Sequence, residues 1–151
     1  MKLLITGLIA ASCFASKTFF NPVDPTGTYI LKGNIEKNII KGHSGEIRAK
    51  LLAENKLALA FYIDNGAPDF ESASFRDTFF YSDNRVSYHS PTDTDCIITF
   101  AFNTGTVETT FVHSDPKCAC GFKKGVIIPA IFDKFSDEIP VIKDLSRTTV
   151  N

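Results

Sequence analysis

Acidic side chains recur in the segments that join the hydrophobic runs of this chain. Asp64 and Asp69 flank a Gly-Ala-Pro turn, Asp83 precedes Asn84, and Asp93 lies close to Asp95. Paired carboxylates can perform glycoside hydrolysis, and oxygen-rich loops can hold Ca²⁺. No EF-hand spacing is present, and Asp and Asn are common turn-forming residues. These carboxylates therefore indicate turns more strongly than a catalytic pair.

A second cluster of reactive side chains runs from His113 to Cys120. It contains a histidine, an aspartate and two cysteines, all of which can bind zinc. Its spacing matches no common zinc pattern, and a Cys–His nucleophile would need a setting that lowers the thiol pKa, which this sequence does not show. We predict no metal site, no cofactor and no catalytic residue, so a non-enzymatic protein is the favoured interpretation.

Three cysteines remain after the first fifteen residues: Cys96, Cys118 and Cys120. Cys118 and Cys120 alternate in an extended chain and face opposite sides, which argues against a bond between them. Cys96 begins an apolar strand and would pair with one of the two. We favour Cys120, because Gly121 follows it and Phe122 resumes the apolar pattern. Cys118 is then a spare thiol.

The elements that must position these residues are short β-strands. Apolar and polar residues alternate in 96–103 and in 106–113, with a Gly-containing turn between them. Turns at 53–56 and 82–84 predict two further hairpins. The predicted strands are 27–33, 45–53, 56–63, 73–81, 85–90, 96–103, 106–113 and 125–135.

This pattern predicts an all-β fold, either a small antiparallel barrel or a two-sheet sandwich of about eight strands. No segment shows apolar residues at helical spacing. Sequential hairpins favour a meander that closes on itself. Pro129 falls within the last predicted strand and indicates an edge, a bulge or a break there.

The aromatic content is unusual, with fourteen Phe, four Tyr and no Trp. Phe packs well between β-strands, so a Phe-filled core is expected. If the barrel were slightly open, some rings could instead line an apolar pocket or a binding patch. The middle third of the chain holds the densest group: Phe61, Tyr62, Phe70, Phe75, Phe79, Phe80, Tyr81 and Tyr88.

The formal net charge is −1, and Lys and Arg are scattered singly along the chain. A nucleic-acid binder would carry a basic stripe, and a protein attracted to an anionic membrane would carry a basic cluster. We therefore predict no nucleic-acid partner and no membrane contact other than through a lipid anchor.

The N-terminus has the order of a secretory signal peptide. Met1-Lys2 is followed by the apolar run 3–11 and by small residues, which predicts a signal peptide over 1–15 and export of the chain. Cleavage after Ala15 would release a soluble periplasmic or secreted protein. Alternatively, 10–13 resembles a lipobox that would place a lipid on Cys13. The predicted mature organisation is a tether at 16–26, a β domain at 27–140 and a C-terminal tail at 141–151.

Several short motifs carry a resemblance that covers most of the mature chain: Gly45-Glu46-Ile47-Arg48, 61–66, 74–78, Cys96, Cys120-Gly121-Phe122 and Gly125-Val126. They resemble an uncharacterised family of small exported bacterial β-proteins with a Cys-Gly-Phe-Gly motif. Lys123 stands where that motif has its second Gly. The resemblance implies Cys120 as the partner of Cys96, and it implies no activity. In architecture alone, the chain is similar to periplasmic lysozyme inhibitors.

The favoured function is that of a non-enzymatic extracytoplasmic binding protein of a bacterial envelope, of which an inhibitor of a secreted hydrolase is one version. The partner would be a protein or a small apolar ligand, bound by the loops 64–72 and 89–95, because loops on a rigid sheet usually carry recognition. Two alternatives are a carrier of an apolar ligand in a Phe-lined barrel and a small hydrolase using loop carboxylates or a Cys–His pair. The predicted binding residues are Asp64, Asn65, Asp69, Phe70, Tyr88, His89 and Asp93.

Overall fold

The computed structural model of the chain describes residues 21–113 and 119–146, which form nine β-strands and no helix. The signal segment, Cys13 and Cys118 lie outside the described residues. The strands span Gly27–Leu31 (β1), Asn34–Glu36 (β2), Ile39–Ala53 (β3), Lys56–Gly66 (β4), Ser72–Phe80 (β5), Arg85–His89 (β6), Ile97–Asn103 (β7), Thr106–Val112 (β8) and Ala130–Ser136 (β9).

Eight of the strands wrap into a nearly closed antiparallel barrel in the order β5-β4-β3-β1-β9-β8-β7-β6, and the short β2 pairs with β3 alone. The all-β prediction is confirmed, and the barrel is the arrangement observed. The sheet is a meander whose first and last strands meet, since β1 pairs with both β3 and β9. We call the end of the barrel with the β3–β4, β5–β6 and β7–β8 turns the base, and the opposite end the upper end.

The interior of the barrel is packed with rings from opposite walls. Phe61 of β4 lies 5.3 Å from Phe100 of β7 and 6.1 Å from Phe132 of β9, measured between ring centroids. Nearer the base, Tyr29 of β1 contacts Phe102 of β7 at 5.9 Å. Period-two alternation explains this core, because every second residue of each strand points inward.

The starts of two strands differ most from those predicted. β3 begins at Ile39 and forms a small hairpin with β2, whose turn places both Lys37 and Asn38 at positive φ. The predicted last strand from residue 125 is wrong in its first part, since β9 begins only after Pro129. Proline lacks the N–H that a ladder requires. The preceding Val126 and Ile127 are instead buried in the loop between β8 and β9.

The described part of the predicted tether is docked on the base of the barrel. Asn84 holds this segment through its side chain, which accepts a hydrogen bond from Val23 N at 2.8 Å and donates one to Asn21 O at 3.0 Å. The Tyr81 hydroxyl donates to Val23 O at 2.7 Å. Residues 21–26 therefore close the base and do not hang free.

The C-terminal segment 137–146, which we call the strap, crosses the outside of the barrel. Leu145 is buried against Ala60 and Tyr62 on the outer face of β4. An ion pair of 2.8 Å between Arg76 and Asp144 ties the strap to β5. Because the barrel core lies on its other face, β4 is buried on both sides.

Candidate functional site

A disulfide ties two loops together at the upper end. Cys96, the last residue before β7, is bonded to Cys120 in the β8–β9 loop, as predicted, with their Cα atoms 5.0 Å apart. Gly121 follows in a left-handed conformation with φ of 81°. A Cβ atom at this position would lie 2.3 Å from Thr92 Oγ1, so only glycine fits. The Cys-Gly-Phe motif thus joins the loops and turns Phe122 toward the barrel.

The β8–β9 loop also contacts the other loops of the upper end. The Lys123 ammonium pairs with the Glu71 carboxylate just before β5. His43 Nε2 lies 2.8 Å from Gly125 O and links the loop to β3. These contacts and the disulfide hold the loop in place as a cover over the barrel.

Two neighbouring strands of the barrel, β5 and β6, are not joined by a hydrogen-bonded ladder. β5 pairs with β4 along nine residues, and β6 pairs with β7 along five. Among the described residues, β5 and β6 are joined only at their connecting turn, through the bridge between Ser82 and Arg85. We call the open line between β5 and β6, from this turn to the upper end, the seam.

The hydrogen-bond register shows which backbone groups of β5 face the seam. Asn65 N donates to Glu71 O at 3.0 Å, and Tyr81 N donates to Asn55 O at 2.9 Å. Odd-numbered residues of β5 therefore bond to β4. Alternate residues of an antiparallel strand direct their N–H and C=O to opposite edges. The residues that turn their backbone to the seam are consequently the even-numbered Ser72, Ser74, Arg76, Thr78 and Phe80.

Strand β6 also directs the backbone groups of alternate residues to its two edges. Phe102 N donates to Asn84 O at 2.7 Å, and Ser90 N donates to Cys96 O at 3.3 Å. Even-numbered residues of β6 therefore bond to β7. Beyond the turn, the backbone groups that face the seam are those of Ser87 and His89.

Aromatic rings fill the seam from the inside. Phe75 of β5 and Tyr88 of β6 stack with centroids 3.9 Å apart and ring planes at 14°. Phe122 lies 6.4 Å from each of these rings, and Phe79 lies 6.3 Å from Phe75. All four rings are partly buried against the core. They close the barrel where the backbone does not and leave an aromatic surface that is accessible from outside.

One carboxylate lies among these rings. Asp77 stands opposite Leu59 in the register and so occupies an inward position of β5 between Phe75 and Phe79, yet it is exposed. Its Oδ1 accepts a hydrogen bond of 2.7 Å from Thr78 N. No cation pairs with Asp77 within the described parts of the chain. An inward charge is a common protection of a sheet edge.

The Tyr88 hydroxyl is neutral over the physiological range. Burial raises the pKa of this phenol, and the Asp77 carboxylate across the seam raises it further. A neutral phenol can donate a hydrogen bond as well as accept one. The seam therefore offers aromatic faces, a hydroxyl donor and a negative charge.

Three predicted binding residues of the β4–β5 region have structural or peripheral positions. Asp64 is buried; its carboxylate accepts hydrogen bonds from the Tyr62 hydroxyl at 2.9 Å and from Gly66 N at 2.7 Å. Asn65 Oδ1 accepts one from Glu71 N at 2.9 Å. Asp69 is exposed on the loop beyond them. The structure thus gives Asp64 and Asn65 roles in shaping this loop.

The other predicted residues lie nearer the seam. Phe70 is 41% exposed at positive φ in the β4–β5 loop. Tyr88 is within the seam, and His89 is exposed at the end of β6. Asp93 lies in the β6–β7 loop, where its N–H donates to Ser90 Oγ at 3.1 Å. Both predicted contact loops flank the upper end of the seam.

The predicted binding residues did not include Phe75, Asp77 or Phe122, although Phe75 belongs to the aromatic group that was expected to form either core or a binding patch. A usable signal was present in β5, because the inward positions Ala73, Phe75 and Phe79 are interrupted by a charge at 77. A charge at an inward position marks an edge strand.

A separate cavity of about 190 Å³ lies beside the disulfide. Its lining includes Phe111, His113, Lys123 and Lys124. His113 Nδ1 is buried there, and none of the described residues forms a hydrogen bond with it. The described residues include no group of three His, Cys, Asp or Glu side chains suited to a metal ion. They also include no helix with the length and apolar character that crossing a bilayer requires.

The fold and seam define a small antiparallel β-barrel with one unsealed line. No family model, no curated protein and no solved structure matches this chain.

Proposed function

We propose that this chain is a non-enzymatic extracytoplasmic binding protein of a bacterial envelope that engages a protein partner at the seam. The observation that carries the proposal is the partly exposed surface of Phe75, Phe79, Tyr88 and Phe122 at the line where β5 and β6 do not pair. Aromatic side chains are enriched among the residues that dominate binding energy in protein interfaces.

The scaffold around this surface is rigid, which lowers the entropic cost of binding. The Cys96–Cys120 disulfide fixes Phe122, and nine paired residues fix β5 against β4. The contact loops 64–72 and 89–95 flank the same end. An inhibitor that inserts into or covers a secreted hydrolase is one specific version of this function.

The two alternative functions receive less support from the contacts. An apolar carrier needs an open lumen, whereas Phe61, Phe100 and Phe132 meet across the barrel. A hydrolase working through the Asp64–Asp69 pair would need both acids to be available, whereas Asp64 is buried and held by Tyr62 and Gly66.

The extracytoplasmic location is part of the proposal. A disulfide is compatible with an oxidising compartment. The mass of the chain recovered from its host tests whether the signal segment 1–15 is removed. The same mass distinguishes cleavage after Ala15 from lipidation of Cys13. A mass that retains residues 1–15 would contradict export through this segment.

Crosslinking at the seam tests the binding function. A photo-crosslinking residue replaces Tyr88 in the chain produced by its host, and a matched one replaces Glu108, which is exposed on the outer face of β8. We expect a protein adduct from position 88 and none from position 108. The adduct is identified by mass spectrometry, and the partner is then purified for binding measurements.

Affinity for the purified partner decides whether the aromatic surface is the contact. We expect Phe122→Ala to weaken binding by about tenfold or more, as at other aromatic anchors. Phe135→Ala is the matched control, because Phe135 is 74% exposed on the outer face of β9. Circular dichroism confirms that both variants are folded. Equal affinity of the Phe122→Ala variant and the parent chain would refute the seam as the binding surface.

A further inference from the structure

The seam exposes backbone N–H and C=O groups, which have no role if a partner binds through side-chain contacts alone. Ser72, Ser74 and Arg76 of β5 direct N–H and C=O groups across it, and Ser87 and His89 of β6 do so from the other side. Unpaired edges of this kind accept a further strand, and natural sheets usually guard against it.

This edge of β5 is only partly protected against pairing with a further strand. The Asp77 carboxylate accepts a hydrogen bond from Thr78 N and so occupies one seam-facing donor. The side chain of Arg76 is held away on the outer face by Asp144 of the strap. In the upper part of β5, the seam-facing backbone groups of Ser72, Ser74 and Arg76 form no backbone hydrogen bond to any described residue.

The chemistry of the seam selects the side chains of an incoming strand. Residues of that strand that point inward would lie on the rings of Phe75, Tyr88 and Phe122. The Asp77 carboxylate among these rings has no cationic partner within the described residues. Apolar side chains with one positive charge complement this surface, since a cation gains from both the carboxylate and the ring faces.

We infer that the seam accepts an extended segment of the partner, which adds as a strand along β5 and carries a lysine or arginine opposite Asp77. The inference rests on the proposed function, because the same surface is the binding site. It adds the form of the ligand, which is a strand bound through its backbone, and the charge that the strand must present.

A synthetic peptide, acetyl-Thr-Val-Thr-Arg-Thr-Val-Thr-amide, is the probe. Its valines and arginine point into the seam and its threonines point outward, so that with the arginine opposite Asp77 two of the threonines bond to Ser74 and Arg76 of β5. Addition of the peptide to the full-length chain should shift the amide NMR signals of Ser74 and Arg76 and slow their hydrogen exchange. Shifts confined to other parts of the barrel, or no shift at millimolar peptide, would overturn the inference.

Two control peptides separate backbone pairing from side-chain contact. Methylation of the threonine nitrogens removes the donors to β5 and keeps every side chain, and we expect it to weaken binding about tenfold or more. Replacement of the arginine by glutamate should weaken binding to the parent chain about tenfold, and the Asp77→Asn variant should abolish that preference. Equal binding of the methylated peptide would refute strand addition.

The two proposals fail in different ways. If Phe122→Ala abolishes partner binding while the methylated peptide binds like its parent, the seam is the contact but the ligand is not a strand. If the Ser74 and Arg76 signals shift with protein concentration alone, the strand belongs to a second copy of this chain and the inference is wrong.

Discussion

Phe75 and Tyr88 stack face to face, with ring centroids 3.9 Å apart, across a line where no ladder joins the strands that carry them. Elsewhere around the barrel, neighbouring strands are held by backbone pairing. At the seam the side chains take over that role, and the same rings form the surface to which we assign binding.

The stack predicts a measurable coupling between the two residues. In a double-mutant cycle with Phe75→Leu and Tyr88→Leu, we expect the free energies of unfolding to show a coupling of about 1 kcal/mol, beyond the apolar area that each ring buries. Urea denaturation of the parent chain, both single variants and the double variant supplies the four values. Additive losses would show that the rings do not depend on each other.

Removal of the disulfide should destabilise the fold. Cys96 and Cys120 are 24 residues apart, and closure of a loop of this length contributes about 3 to 4 kcal/mol in the chain-entropy model. We expect the Cys96→Ala/Cys120→Ala double variant to lose about that amount of unfolding free energy. The parent chain under reducing conditions is the matched comparison. Unchanged stability in both samples would contradict the prediction.

The strap should contribute through burial more than through charge. Leu145→Ala removes a buried side chain from the outer face of β4, and we expect a loss of about 2 kcal/mol. Asp144→Asn breaks the exposed ion pair with Arg76 and should cost about 0.5 kcal/mol or less. Limited proteolysis within 137–146 should accelerate for Leu145→Ala. The reverse ranking of the two variants would be inconsistent with this packing.

Folding stability should decline in alkaline solution because of tyrosines at the base. Burial raises the pKa of Tyr81 to about 12, with a further contribution from Asp24, and burial also raises the pKa of Tyr29. Since the ordinary pKa of tyrosine is about 10, the unfolded chain releases these protons first as the pH rises. The stabilisation is complete below about pH 10 and is lost as the pH rises toward the folded-state values.

The Tyr81→Phe variant tests this assignment. It removes the hydrogen bond to Val23 O, so we expect a loss of about 1 kcal/mol at neutral pH. Between pH 10 and 12 its stability should fall less steeply than that of the parent chain, as measured by urea denaturation across that range. Parallel pH profiles would show that Tyr81 is not responsible.

Local alternation was sufficient to predict most of the barrel. Strands β4, β7 and β8 present every second residue inward, and their turns contain the expected turn-forming residues. The β2–β3 hairpin was missed because its turn residues, Lys37 and Asn38, both take positive φ without a glycine to signal it. Pro129 correctly indicated irregularity, but the chain before it packs as a loop.

The candidate site was harder to predict because it depends on an interaction that does not form. The turn at 82–84 predicts a hairpin, and the bridge between Ser82 and Arg85 begins one. The two strands then separate. Neither the composition of the turn nor the alternation of apolar and polar residues indicates that separation. The burial of Tyr62, whose hydroxyl bonds to Asp64, likewise depends on the strap, which lies about eighty residues further along the chain.

The pairing of β1 with β9 has a consequence for folding. The first strand receives one of its two neighbours only after nearly all of the described chain is present, so the sheet cannot close as it emerges. Such long-range contacts slow folding to about milliseconds or seconds. A circular permutant opened at the 82–84 turn, with its ends joined through a linker, would bring β9 and β1 closer together in the sequence and should therefore fold faster.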